Sequence, residues 1–180
     1  MYVCMSVCYG ELSMPSTRDT ALSSPLDYAA VSSALPDWFW RRHANPKSGW
    51  SRLLATPLLL LAVSRRDRRL LVLALVYTLL NPVAFPPPAD DRAWMTRGVL
   101  GERVWIEHGP RPRWVSALNA VSGLPFLYAL VAAYRRQPGC AAVAATLAGA
   151  LKMAFVAWCV RLYDRTREEH PDADLGLSGR

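Results

Sequence analysis

Little in this sequence is arranged for chemistry. Its three histidines, His43, His108 and His170, have no metal-ligand spacing, and no His-x-x-x-His helix pattern occurs. Nucleophile-elbow, phosphate-loop and paired-carboxylate motifs are missing too, so no motif names a catalytic residue. Four cysteines make no disulfide framework: Cys4 and Cys8 lie in an aperiodic start, and Cys140 and Cys159 fall near opposite ends of one predicted helix. The start also lacks the charged region and long apolar core of a signal peptide. These absences lead to an expectation of no metal and no cofactor. Acidic residues are in deficit, 14 against 21 Lys and Arg, for a net charge of +7 and a pI near 9.6. The basic residues sit at the ends of apolar blocks, where they anchor helices to headgroups, so a nucleic-acid partner is not expected.

What is present is apolar and comes in blocks. Hydrophobic residues make up 52% of the 180-residue chain, and mean hydropathy is +0.11. The blocks are 46–64, 70–85, 114–134 and 140–162. At about 1.5 Å per residue, the last two can cross a hydrocarbon core of about 30 Å unaided. The second covers roughly 24 Å and needs flanking residues, while the first is free of charge only over 53–63. Lipid offers the backbone no hydrogen-bond partner, so such blocks must be helical. The expected fold is an all-α integral membrane protein of the cell membrane, with four transmembrane helices arranged as two hairpins.

Residues 1–25 have no periodicity and are expected to be disordered, with Met14 a candidate for the true start. Segment 26–45, with Trp38, Phe39, Trp40, Arg41 and Arg42 around Pro36, suits short amphipathic helices lying in the interface, an aromatic anchor. Asn45-Pro46 is a helix start, and Pro57 should kink the first span against the carbonyl of Leu53. The second span is expected to end at Asn81-Pro82, before the stiff 85–88 run. The long central loop should hold a helix over 89–106. On it Trp94, Gly98, Gly101 and Trp105 fall within about 60° of one another, two indoles flanking a glycine groove. Ser122-Gly123 with Pro125 marks a weak point in the third span. The Ala141, Ala145 and Gly149 stripe of the fourth is expected to face the third. The polar tail, 163–180, should be frayed.

Four crossings put the N-terminal segment, the long loop and the tail on one face, and the basic turns at Arg65–Arg69 and Arg135-Arg136 on the other. All seven tryptophans and every acid except Asp67 then fall on or near the first face, which implies a structured cap there. Counting cations near span ends favours cytoplasmic termini, whereas the density of arginine in the first turn favours cytoplasmic turns.

The runs FWRRHANPKSGWSR, NPVAFPPPADD, WMTRGVLGERVW and AFVAWCVRLYD together resemble a family of small multi-pass membrane proteins of unknown function, found mainly in haloarchaeal genomes. The resemblance covers roughly 36–165 and implies a four-helix membrane protein; it supplies no activity, ligand or catalytic residue. The long N-terminal extension departs from the compact start of such proteins.

One polar cluster stands out. His43, Asn45, Ser48 and Arg52 can reach the cap face, as can Asn81, Glu102, Arg103, Asn119 and Lys152. The candidate ligand-binding set is His43, Asn45, Arg52, Asn81, Glu102, Asn119 and Lys152. Lys152 lies roughly 13 Å deep, where its ammonium must either snorkel or meet a partner such as Glu102 or an anionic headgroup. Three functions remain open. The foremost is a structural or interaction protein held in the bilayer, with room for a homo-oligomer. The others are a module binding or transporting a lipid headgroup or small anion, and an interfacial enzyme using His43 and Glu102 as acid and base.

Overall fold

The computed structural model describes residues 35–107 and 112–171, so the expectations for 1–25, most of the remainder up to Pro36, and 172–180 lie outside the described residues. Among the described residues every regular element is helical. In chain order these are α1 (Asp37–His43), α2 (Pro46–Ser51), a 3-10 turn (Arg52–Leu54), α3 (Ala55–Arg65), α4 (Arg68–Ala84), α5 (Trp94–Glu107), α6 (Arg113–Val121), α7 (Gly123–Tyr134) and α8 (Pro138–Glu169).

Local chemistry sets most of the boundaries. The Asn45 side chain accepts from the N–H of Lys47 at 2.8 Å with Pro46 at the first helical position, and this starts α2. The tightened turn at Arg52–Leu54 lies where Pro57 has no N–H for the carbonyl of Leu53. Arg66, left-handed at φ 53°, ends α3, and the Asp67 carboxylate accepts from the N–H groups of Arg69 and Leu70 to begin α4. Arg136, at φ 58°, serves the second turn in the same left-handed conformation.

Three expected boundaries move. α4 continues through Asn81-Pro82 and ends at Ala84, because the extended Phe85 before Pro86, and not Pro82, stops it. The loop helix begins at Trp94, after the acidic residues expected to open it. α8 continues past Leu162 to Glu169, so the start of the polar tail is helical. The third apolar block does break where its sequence is weak: α6 and α7 meet at Ser122, whose hydroxyl donates to the carbonyl of Asn119 at 2.6 Å.

α5 packs most closely on α8. A Cβ on Gly101 would stand 2.0 Å from the carbonyl oxygen of Cys159, and one on Gly98 2.6 Å from a methyl of Val156. The glycine groove is therefore filled by α8, with Trp105 edge-on to Phe155 and Trp94 stacked on Trp50. Trp40 is 1% exposed among Val99, Leu100, Val104 and Tyr163, a core residue and not an interfacial anchor. On α8 the small residues buried are Ala141, Ala144 and Ala148. Ala145 and Gly149 are half-buried and line a groove instead, which corrects the expected stripe by one position.

Polar residues cluster inside and large apolar ones point outward. α4 buries only Ala74 and Asn81, while Val72, Leu73, Leu75, Val76, Leu79 and Leu80 are exposed. Leu124, Leu127 and Val131 on α7, and Val143 and Leu147 on α8, are exposed likewise. Two stretches, Arg113–Tyr134 and Pro138–Glu169, are long and apolar enough to cross a membrane.

Candidate functional site

The seven candidate residues fall into three neighbouring knots. The first ties α2 to α4. The Ser48 hydroxyl donates to Asn81, 2.9 Å from its carbonyl oxygen and 3.1 Å from its side-chain oxygen, and the Asn81 amide donates to the Ser51 hydroxyl at 2.7 Å. Tyr77, one turn before Asn81 on α4, donates to the carbonyl of Ser51 at 2.7 Å. Asn45 joins from outside, its amide donating to the carbonyl of Pro86 at 2.8 Å. Ser51 and Tyr77 are members that sequence reasoning missed. The available signal was the four-residue spacing of Tyr77 and Asn81, which places both on one face of α4.

The second knot joins α5, α6 and α8. The Lys152 ammonium donates to the side-chain oxygen of Asn119 at 3.1 Å, stands 3.5 Å from the Glu102 carboxylate and lies 4.5 Å from the centre of the Phe155 ring. Both charged side chains are largely buried, at 17% and 15% exposure. Lys152 thus meets a partner rather than snorkelling, and the pair compensates two charges that would be costly apart.

The third knot is His43 with Arg52. The guanidinium lies 2.8 Å from His43 Nε2, and its Nε donates to the carbonyl of Ser48 at 3.3 Å. A guanidinium carries only donors, so the ring nitrogen facing it presents a lone pair and the imidazole is neutral. Phe39 stacks on the ring, centroids 5.2 Å apart. Burial, then the charges of Arg52 and Lys152, hold His43 well below the usual imidazole range.

His43 and Glu102 do not pair with each other: the imidazole faces Arg52 and the carboxylate faces Lys152. A general base needs a free lone pair, and the Arg52 contact occupies the one His43 turns toward it. Above these knots the cap is closed by ion pairs and a hydrogen bond that the sequence did not announce. Arg97 meets Asp164 at 3.0 Å, Arg103 bridges Glu107 and Asp37, and the Tyr163 hydroxyl donates to Asp91 at 2.7 Å. Among the described residues no three His, Cys, Asp or Glu side chains are grouped to hold a metal ion. Cys140 is exposed, Cys159 is buried, and both are free thiols.

Neither a curated protein nor a solved structure matches this sequence. One family does, along most of the chain and across all three knots. Matched over residues 28–176, the chain belongs to the family of unknown function DUF6653.

Proposed function

We propose that this protein is a multi-pass integral membrane protein of the cell membrane with a structural or interaction role. Its four crossings are 46–65, 68–84, 113–134 and 138–162, and its tryptophan-rich cap of α1, α5 and the end of α8 rests on one leaflet. One observation carries the reading: most leucines and valines of α4, α7 and the first half of α8 face outward while His43, Arg52, Asn81, Glu102 and Lys152 are bonded to partners inside. Water would penalise that distribution, and lipid rewards it. The mutual satisfaction of the polar residues favours a structural seam over an open ligand site. Family membership adds no activity to this picture.

Cysteine labelling tests the four crossings. Cys140 is exposed at the second turn, and Arg68 and Arg92 are exposed at the first turn and in the central loop. With the other cysteines changed to serine, Cys140, Arg68→Cys and Arg92→Cys are treated in intact cells with a membrane-impermeant maleimide. Four crossings give positions 68 and 140 one accessibility and position 92 the opposite one. Should only the last two spans cross, position 68 would follow position 92, and the reading fails.

A further inference from the structure

On the outside of the helix group, α3 and α8 leave between them a groove of about 690 Å³. Its walls include Leu53, Pro57 and Leu60 on one side and Ala145 and Gly149 on the other. A Cβ placed on Gly149 would meet nothing within 4 Å, so the space is open down to the α8 backbone. The groove runs along α8 from Pro138 to Lys152, roughly 21 Å of helix, against about 15 Å for half a hydrocarbon core. That is room for an entire acyl chain of one leaflet. Apolar walls within lipid are covered by hydrocarbon, since an empty groove forfeits the dispersion contacts of its lining.

The mouth is as distinctive as the walls. Arg136 and Gln137 line it, and the same two turns hold Arg65, Arg66, Arg68, Arg69 and Arg135, all exposed. Asp67 is the one carboxylate of these turns, and it is occupied in capping α4. Cations near a membrane surface each attract an anionic headgroup by about 1 kcal/mol, or about fivefold in affinity.

We propose that this groove holds one acyl chain of an anionic phospholipid, whose phosphate is bound by the arginines of the two turns. The site lies on the face opposite the polar knots and uses none of the candidate residues except Lys152, at the far end of the groove. It rests on the four-crossing reading, whose failure would appear in cysteine labelling whatever the lipids do.

The full-length protein is reconstituted in vesicles of equal parts phosphatidylglycerol and phosphatidylcholine with identical chains, released into mild detergent and weighed by native mass spectrometry. The expected result is one retained phosphatidylglycerol per chain. Gly149→Phe, which fills the groove, should abolish retention; Gly139→Phe, equally open but outside the groove lining, should not. Gly149→Leu repeats the test with a smaller side chain if the phenylalanine variant aggregates. Arg135→Gln with Arg136→Gln should cut the preference for phosphatidylglycerol by about fivefold per arginine. Retention unchanged in both groove-filling variants overturns the proposal, as does equal retention of the two lipids by the native chain. Loss of preference with Lys152→Ala but not with the arginine variants would seat the headgroup at the wrong end and overturn it as well.

Discussion

His43 is held by the stacked ring of Phe39 and the guanidinium of Arg52, in a place where a proton is unwelcome. Its folded-state pKa lies below the unfolded value of about 6.5, so at lower pH the unfolded chain takes up a proton that the native chain refuses. Stability is therefore full above the unfolded pKa and is lost as pH falls through 6.5 toward the depressed native value. Thermal unfolding in detergent should show a Tm that declines between about pH 7.5 and 5.5. His43→Gln, which cannot titrate yet can still accept from Arg52, should flatten that decline; an unchanged slope would remove His43 as its source. At this scale the sequence was partly legible. Residue types and depths marked His43, Arg52, Glu102 and Lys152 as unusual. Which cation met which partner was not readable, because those contacts join residues from four elements and depend on distances no spacing encodes.

Between elements, α5 approaches the backbone of α8 closely enough that only glycine fits at the contact. Gly101 lets the backbone of α5 approach the carbonyl of Cys159, and a methyl group there would occupy space already filled. Gly101→Ala should lower stability by about 1–3 kcal/mol through overpacking, a fall of several degrees in Tm for a chain of this size. Gly149→Ala, whose methyl meets nothing, should instead raise Tm by a few degrees, since alanine is the better helix former by about 1 kcal/mol. Equal shifts in the two variants would show that intrinsic helix propensity, and not the close approach, decides. The angular grouping of Trp94, Gly98, Gly101 and Trp105 was visible in the sequence, but the occupant of that groove was not. Helix ends set by a local cap, such as Asn45 and Asp67, were readable. The end of α4 was misplaced because Pro82 lies inside the last turn and the helix stops only at the extended Phe85, before Pro86.

For the whole molecule, the outward placement of leucine gives the four-crossing proposal its test. Leu73, near the middle of α4, is 65% exposed. If α4 crosses the bilayer as proposed, an aspartate there faces hydrocarbon and costs about 3 kcal/mol in membrane insertion, whereas a solvent-facing site would register within about 0.5 kcal/mol. Leu73→Asp should sharply reduce the protein recovered in the membrane fraction. Normal accumulation and folding would place α4 in water and reduce the crossings to fewer than four.

The sequence by itself determined that the chain is helical, where its apolar blocks lie and that charge collects at their ends, because hydropathy and capping act within a few residues. Only the tertiary structure decided that Lys152 belongs to Glu102 and Asn119, that Trp40 is core, and that Ala145 and Gly149 open onto a groove instead of a neighbouring helix. Those outcomes turn on how helices rotate against one another. A rotation of one residue position, about 100°, separates a packed face from an open one, and the local pattern leaves that angle free.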